Sequence, residues 1–381
     1  MSKLKIAMLS TFYPYRGGIA QFNANLYEAF SQKYEVKAFN FKRQYPELLF
    51  PGKTQMVSET DQAPAIPSER TLDSMWPLSY WTTAQKIKKW QPDLLVMRYW
   101  LPFFAPALGL IAKWVRSEQT KVISIVDNAI PHEKRPGDEL LSRFFFKQND
   151  GLMVMSGQVA KDLKKLHPKA SFRQRPHPVY DHFGQKMPKT AAREKLQIPP
   201  GKKVVLFFGL VRKYKGLDLL IEAFKHLSED YYLLIAGEVY GDETFYHQAL
   251  KEAKLDTKDR CGTHFRYISD QEVPSFFGAA DLIALPYRSA TQSGILAVCL
   301  HFDLPVVITD VGGLKEMVAP YGIGKVVDAP KAALLQTAIQ TFFDQNEGAA
   351  MQNQINDYKN THNWANFAEF ITDYYQDLKK N

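Results

Sequence analysis

The sequence contains very little cysteine. Only Cys261 and Cys299 occur among 381 residues, which excludes a disulfide framework and a four-cysteine zinc site. There is also no HExxH pattern, no Cys/His cluster and no DxD motif at the end of a predicted strand, so a bound metal is not expected. A cysteine-poor chain is typical of a reducing compartment.

Long hydrophobic runs are missing as well. The longest apolar stretch, Leu101 to Val115, is interrupted by Lys113 and is shorter than the ~20 residues of a membrane-spanning helix. The apolar residues that follow Lys3 and Lys5 are too few for the core of a signal peptide. We therefore expect a cytoplasmic protein that is soluble, or peripheral on the inner face of the cytoplasmic membrane, and not an integral one.

Acidic residues are scarce in the first half of the chain. Residues 1–185 contain 26 Lys and Arg against 16 Asp and Glu, a net charge of +10, whereas residues 186–381 contain 22 against 24, a net charge of −2. The basic half could meet nucleic acid, a lipid headgroup surface or a phosphorylated acceptor, or could simply be a solvated surface. No helix-turn-helix, RRM or similar module is recognisable, so nucleic acid is not an expected partner.

The sequence does contain a repeated alternation of short apolar strands and amphipathic helices. At ~150 residues per domain its length predicts two domains. The alternation is typical of parallel βαβ units, so the fold class is α/β with two doubly wound, Rossmann-like domains facing a central cleft. The predicted strands are 6–10, 36–41, 94–98, 122–126, 152–155, 204–208, 232–236, 264–268, 282–285, 306–309 and 325–327.

Two segments lack this alternation. Residues 51–70 are rich in Pro, Ser, Glu and Gln and predict a long loop, and residues 176–200 are rich in Pro, Lys and Gln and predict a linker. The last predicted element is an aromatic amphipathic helix, 364–378.

A glycine loop follows the first strand of each predicted domain. In the first domain, Gly17 and Gly18 would allow backbone N–H groups to contact an anion at a helix N-terminus, or would form a plain tight turn. In the second domain, Arg212, Lys213 and Lys215 provide three cations within four residues. This composition suits a diphosphate, because Arg offers a planar fork and Lys a point charge, although a solvated basic loop is the alternative.

Two further segments follow strands and could carry chemistry. Residues 286–294 end in Ser293 and Gly294, which would present free N–H groups to a phosphate at a helix N-terminus, or Ser293 would act only as an N-cap. Residues 127–133 include Asp127, Asn128 and His132, which could serve as acid/base or substrate-contact groups or have a structural role.

These segments, taken together, resemble the GT-B glycosyltransferases of family 4, the group 1 glycosyltransferases. Their order and spacing carry the resemblance over some 300 residues, and no single motif decides it. The matching segments are 10–20, 125–133, 177–181, 207–223, 262–286 and 309–318, the last with Gly312, Gly313 and Glu316.

The resemblance implies a fold and a reaction. Residues 1–182 with the C-terminal helix 364–381 would form the acceptor-side domain, and residues 183–363 the domain that binds a nucleotide-sugar donor. The reaction would be a hexosyl transfer with retention of anomeric configuration, without a cofactor or metal, onto a glycan or lipid-linked acceptor in polysaccharide, lipopolysaccharide or glycolipid biosynthesis.

The resemblance also assigns residues to roles. Arg212 and Lys215 would bind the donor diphosphate and stabilise the leaving group, with Asp127 as a third catalytic residue. The other donor-binding residues would be Gly17, Gly18, Glu238, Ile268, Thr291, Ser293 and Gly294. Contacts with the acceptor or the sugar would come from Asn128, His132 and Gln292.

The sequence departs from the family pattern in three places. Family members often have two glutamates seven residues apart, whereas this chain has Ala290 or Thr291 and then Val298, as in a subgroup with Thr-Gln-Ser-Gly. Asp127 stands where His is frequent, and Leu210 occupies a common Arg position for which Arg212 substitutes. A non-catalytic GT-B protein that binds a nucleotide or glycan and supports a partner transferase is therefore the alternative, and a sugar-nucleotide epimerase is a third interpretation.

An anionic membrane surface is a further expected partner. The basic–aromatic segment Arg143 to Lys147 and the Trp-containing region Lys88–Trp114 lie in the basic half. Each basic side chain near such a surface contributes roughly 1 kcal/mol. Core packing beneath a solvated rim is the alternative for these aromatic residues.

Overall fold

The computed structural model describes residues 3–46, 55–57, 65–131, 135–180, 183–290 and 293–380. The chain divides into two compact units, the first formed by Met1–Pro176 with Trp364–Asn381 and the second by His177–Asn363. The predicted boundary at residue 182 lies slightly further along the chain. This division gives the first unit a net charge of +10 and the second a net charge of −2.

The first unit is built on a seven-stranded parallel sheet in the order β3-β2-β1-β4-β5-β6-β7. Its central strands are almost fully buried, as expected when helices cover both faces of a sheet. The strands are β1 (Lys5–Ser10), β2 (Glu35–Arg43), β3 (Ser68–Asp73), β4 (Leu94–Tyr99), β5 (Lys121–Val126), β6 (Gly151–Val154) and β7 (Phe172–Gln174).

In the described part of the first unit, six α-helices pack around this sheet. The C-terminal helix packs on α1, where the Phe22 ring meets the rings of Trp364 and Phe367 edge-on at centroid distances of 4.8 and 5.6 Å. The helices are α1 (Gly18–Ser31), α2 (Pro77–Trp90), α3 (Ala105–Val115), α4 (Asp138–Phe146), α5 (Gly157–Leu166) and α14 (Trp364–Lys380). No helix in the described ranges is long and apolar enough to cross a bilayer.

The second unit has a six-stranded parallel sheet in the order β10-β9-β8-β11-β12-β13. Its strands are β8 (Lys203–Phe208), β9 (Tyr231–Ala236), β10 (Cys261–His264), β11 (Leu282–Leu285), β12 (Val306–Thr309) and β13 (Gly324–Val327). Its helices are α6 (Lys189–Lys195), α7 (Leu217–Phe224), α8 (Glu243–Glu252), α9 (Val273–Ala279), α10 (Gly294–His301), α11 (Leu314–Val318), α12 (Ala332–Asp344) and α13 (Glu347–Thr361).

Three predictions about secondary structure were wrong in part. Within the predicted loop 51–70, residues 51–54 and 58–64 lie outside the described residues, but residues 68–70 belong to β3, a largely polar edge strand in which only Leu72 is fully buried. The predicted linker 176–200 begins at the boundary between the units, but it contains α6, which packs on α9 and bonds to Asp281 through Arg193 at 2.7 Å. The strand predicted at 264–268 lies three residues earlier, at Cys261–His264, because the ladder with β9 ends at His264.

The order of the strands indicates where each unit binds ligands. In an open α/β sheet, ligands bind beyond the carboxyl ends of the strands, where the strand order reverses direction. That point lies between β1 and β4 in the first unit and between β8 and β11 in the second. Most of the predicted site residues follow these strands or their neighbours.

Candidate functional site

The loop between β8 and α7, residues 209–216, contains Arg212, Lys213 and Lys215, and we call it the basic loop of the second unit. Val211 forms a parallel bridge with Val239 beyond the end of β9, and its N–H donates to the carbonyl of Glu238 at 2.9 Å. Lys213–Lys215 then form a 3-10 turn that leads through Gly216 into α7. The loop is therefore fixed to the neighbouring strand connection, and its cations lie at the reversal point of the sheet.

Lys215 is the most enclosed cation of this loop, with an exposed fraction of 9%. Its Nζ lies 5.6 Å from the centroid of the Tyr287 ring and 3.4 Å from the position that a Cβ on Gly209 would occupy. Among the described residues its ammonium group has no hydrogen-bond or ion-pair partner. Burial, reinforced by the charge of Arg212, lowers the pKa of Lys215 to about 8. An anionic ligand beside this desolvated ammonium would stabilise its protonated form and raise its pKa.

Arg212 accompanies Lys215 on the same loop. Its guanidinium lies 4.9 Å from the centroid of the Tyr240 ring, and the side chain is half-buried. Arg212 also makes no ion pair with any described residue. The two cations are thus available together, as the diphosphate hypothesis requires.

Gly216 explains how the loop and the segment after β11 lie so close together. Its φ of 70° is in the left-handed region, and a Cβ at this position would collide with the carbonyl oxygen of Pro286. Only glycine fits both constraints. The contact with Pro286 joins positions 70 residues apart in the sequence, so no local pattern could predict it.

Arg288 and Asp218 are residues that sequence reasoning missed. The Arg288 guanidinium donates two hydrogen bonds to the Asp218 carboxylate at 2.7 and 2.5 Å, and a third to the carbonyl of Lys213 at 3.0 Å. Its backbone N–H donates to the carbonyl of Tyr214. Arg288 therefore fastens the segment after β11 to the basic loop. A charged residue in a segment otherwise rich in small polar residues was the sequence signal that could have pointed to Arg288.

The N-terminus of α10 lies next in this segment. Ser293 is the N-cap residue, but its side chain makes no capping hydrogen bond, and its Oγ lies 3.4 Å from the Tyr287 hydroxyl. Gly294 is the first residue of the helix, so its N–H belongs to the unpaired first turn. The predicted Thr291 and Gln292 lie outside the described residues.

The two remaining residues that were predicted to bind the donor, Glu238 and Ile268, lie beyond the ends of β9 and β10. Glu238 is half-buried and supports the basic loop through its carbonyl, whereas Ile268 is buried. His264, at the end of β10, is partly buried, and burial lowers its pKa. In the part of the chain that the structure describes, no three His, Cys, Asp or Glu side chains are placed to share a metal ion.

In the first unit, Gly17 and Gly18 are the N-cap and first residue of α1 and both are exposed. Their loop is held by two asparagines that the sequence analysis did not single out. Asn40 on β2 exchanges hydrogen bonds with the backbone of Phe12 at 3.1 and 3.2 Å. Asn23 on α1 donates to the carbonyl of Thr11 at 2.9 Å. Buried amides therefore position the N-terminus of α1.

Asp127 lies beyond β5 and is buried against Arg98 at the end of β4. Its two carboxylate oxygens accept hydrogen bonds from Nε and Nη2 of Arg98, both at 2.7 Å. The guanidinium also stacks on the Phe22 ring at 3.7 Å. A carboxylate held in this way favours a structural role over the predicted catalytic one, which stays a prediction. Asn128 is half-buried beside it, and His132 lies outside the described residues.

The aromatic residues predicted to face a membrane are placed differently from the expectation. Phe145 and Phe146 belong to the core of the first unit, and Trp90 and Trp114 pack against it from partly buried positions. The prediction of a surface role for Phe145 and Phe146 was wrong, because they are on the inner face of α4. Among the described residues of this unit, the most exposed aromatic side chains are Trp76 and Trp81, where the chain enters α2.

A family model matches most of the second unit. Residues 188–361 match the model of the family described as "Glycosyl transferases group 1". The matched region begins within the second unit and contains the basic loop, the segment after β11 and α10.

Two curated relatives match part of the chain. The D-inositol 3-phosphate glycosyltransferase of Xylanimonas cellulosilytica is 29% identical over 47% of this chain and 45% of its own length. The lipopolysaccharide core biosynthesis mannosyltransferase LpsB of Rhizobium meliloti is 28% identical over 53% of this chain and 58% of its own. The chain thus spans about half the length of these relatives.

A solved structure matches nearly the whole chain. HepE of Anabaena, determined in complex with UDP, superposes with a TM-score of 0.76 at 14% identity, covering 98% of this chain and 100% of that one. At this identity the likeness concerns the fold alone. These matches confirm the resemblance seen in the sequence: residues 188–361 match the group 1 glycosyltransferase model, and the chain has the GT-B fold.

Proposed function

We propose that the protein is a glycosyltransferase that binds a nucleotide-sugar donor at its second unit and transfers the sugar to a glycan or lipid-linked acceptor. The observation that carries the proposal is the buried ammonium of Lys215, which has no ion-pair partner in the described part of the chain and lies beside Arg212 at the reversal point of the sheet. Two cations without partners among the described residues provide a matched site for a diphosphate.

The proposed reaction breaks the bond between the sugar's anomeric carbon and a phosphate oxygen and forms a bond to an acceptor hydroxyl. Negative charge then develops on the departing nucleotide diphosphate. Lys215 and Arg212 would stabilise that charge, together with the free N–H groups at the start of α10. These groups would act without a metal ion, and we propose retention of anomeric configuration, as the family resemblance implies.

The acceptor proposal rests on the relatives and on charge. One relative is named for lipopolysaccharide core biosynthesis and another for D-inositol 3-phosphate. The first unit carries the whole basic excess of the chain, +10. An anionic glycan or lipid-linked intermediate at the cytoplasmic face of a membrane fits both observations.

A non-catalytic role is the second candidate, and one observation favours it. Asp127, at a position where family members frequently have His, is engaged by Arg98 and buried. Such a protein would bind a nucleotide or glycan and support a partner transferase. It would bind the donor but release no free nucleotide from it.

Donor binding is tested by thermal unfolding with UDP-, GDP- and ADP-sugars, followed by an assay for nucleotide release. A donor at 100 times its Kd stabilises the folded chain by about 2.7 kcal/mol, so we expect one nucleotide class to raise the Tm by about 5 °C. The shift and the turnover should persist in EDTA. If no nucleotide-sugar changes the Tm, the proposal is wrong; a shift without release of nucleotide would establish the non-catalytic alternative.

Donor affinity should depend on pH through Lys215. Its pKa of about 8 in the free protein lies below the ordinary value, so the ammonium loses its proton as the pH rises through 8. Only the protonated form attracts a diphosphate, and the bound anion raises the pKa. We therefore expect Kd to increase by up to about tenfold per pH unit above 8 and to be flat below 7. Calorimetric titration from pH 6.5 to 9.5 measures this, and a Lys215→Ala variant should show weak, pH-independent binding.

A further inference from the structure

The first unit exposes an unusual group of large apolar side chains where the chain enters α2. Met75, Trp76, Leu78 and Trp81 are 47%, 59%, 59% and 51% exposed. These four residues lie within seven positions, and we call them the α2 apolar tip. Scattered exposed apolar residues are normal, but a cluster containing two tryptophans marks an interaction site.

The backbone at this tip is firmly held. Pro77 begins the helix, and the Ser79 hydroxyl exchanges hydrogen bonds with the N–H and carbonyl of Asp73 at 3.0 and 2.9 Å. The Tyr80 hydroxyl donates to the carbonyl of Ser74 at 2.5 Å. The inner side chains thus fix the segment, while the tryptophans point away from the core. Their exposure is a property of the fold and not of a loose end.

Two lysines lie further along the exposed face of α2 that carries the apolar tip. Residues seven apart lie on one side of an α-helix, so Lys88 lies below Trp81, and Lys89 follows Leu78 at a spacing of eleven. Lys88 and Lys89 are exposed and make no ion pair with any described residue. The face therefore changes from apolar at its N-terminal end to cationic about 10 Å further along the axis.

We propose that this face of α2 docks the protein on an anionic lipid bilayer, with the α2 apolar tip inserted among the headgroups and Lys88 and Lys89 on the lipid phosphates. Tryptophan prefers this interfacial depth, and its combination with lysine on one helical face is typical of helices that lie at a bilayer surface. The inference rests on the proposed function in one respect: docking on the bilayer would bring the enzyme to a lipid-linked acceptor.

Charge and size favour a bilayer over a protein partner. The unit that carries the tip has a net charge of +10, which is attracted to an anionic surface as a whole. A stable protein interface needs about 800 Å² on each partner, or some 20–30 residues. The tip has four apolar side chains beside unpaired lysines, and this is sufficient for shallow insertion into lipid but small for such an interface.

Vesicle binding of the full-length protein tests the proposal. Co-sedimentation with phosphatidylcholine vesicles containing one-quarter phosphatidylglycerol should show binding that weakens with salt and is absent with phosphatidylcholine alone. The variant Trp76→Ser/Trp81→Ser should partition at least about tenfold more weakly. Phe245→Ser is the matched control, because Phe245 is also 51% exposed but belongs to the second unit. Equal binding by the tryptophan variant and the parent protein would overturn the proposal.

A second pair of variants tests the cationic part. Lys88→Glu/Lys89→Glu should weaken partitioning by at least about 20-fold at low salt, since each lysine near the surface contributes roughly 1 kcal/mol. Lys251→Glu/Lys258→Glu changes the net charge equally on exposed positions of the second unit and should have a much smaller effect. Equal losses in both variants would show attraction by net charge alone and contradict docking through α2.

Two readouts separate this inference from its alternatives. If the tip instead binds a second copy of the chain, light scattering would show a dimer that Trp76→Ser/Trp81→Ser dissociates, with vesicle binding unchanged, and the proposal would fail. The rise in Tm caused by a nucleotide-sugar depends on the second unit and should be identical in the parent protein and in the two variants of α2. A missing rise in the parent protein would therefore refute donor binding without affecting the vesicle result.

Discussion

Lys215→Ala is expected to lower kcat of sugar transfer by about 100- to 1,000-fold, the loss seen when one preorganised group that stabilises transition-state charge is removed. The reason is the setting of this ammonium, which is buried beside Gly209 and Tyr287 and has no partner among the described residues. In such a low-dielectric site its interaction with a departing diphosphate is much stronger than in water. Steady-state kinetics with the nucleotide-sugar identified by thermal shift measures the effect.

Two further variants separate the effect of the Lys215 charge from that of its packing. Lys215→Met keeps an unbranched side chain in the buried space and should lose activity to the same extent, with a Tm close to that of the parent. Lys213 is on the same 3-10 turn but exposed, so Lys213→Ala should change turnover only about twofold. Parent-like turnover in the Lys215→Met variant would contradict the proposed role of the ammonium in catalysis.

The parts of the fold that could be predicted are those in which local pattern and burial agree. β11 and β12 were predicted to the residue because each is a short, fully buried run bounded by polar residues or proline. β3 was missed because an edge strand with a polar sequence resembles a loop when its partner strand is unknown. α6 was missed because its stability comes from packing on α9, which is some 80 residues away in sequence.

The candidate site could be predicted only as far as residue type. The sequence placed Arg212 and Lys215 after a strand, and the structure brings their loop against the segment after β11, as the strand order requires. The burial of Lys215 and the ion pair of Arg288 with Asp218 depend on contacts some 70 residues apart and leave no local pattern. The same is true of Trp76 and Trp81, whose exposure is decided by which face of α2 packs inward.

Asp127→Ala is expected to destabilise the protein by about 3–5 kcal/mol, the cost of leaving a buried charge without its partner. The charge left behind is the Arg98 guanidinium, whose Nε and Nη2 both donate to Asp127 and whose plane lies over the Phe22 ring. Arg98 pairs in register with Ile125, two positions before Asp127, so both side chains lie on the same side of the sheet. Urea unfolding of the parent and the variant, monitored by tryptophan fluorescence, measures the loss.

The double variant Arg98→Met/Asp127→Ala distinguishes a structural carboxylate from a catalytic one. Removing both charges together relieves the penalty, because an apolar replacement of a buried ion pair is often neutral or stabilising. If Asp127 serves the fold, the double variant should recover both stability and sugar transfer relative to Asp127→Ala. If Asp127 takes part in the reaction, the double variant should be stable yet inactive. Recovery of both turnover and stability in the double variant would show that Asp127 is not needed for the reaction. Arg212 and Lys215 in the basic loop of the second unit would then be the groups that stabilise the departing diphosphate.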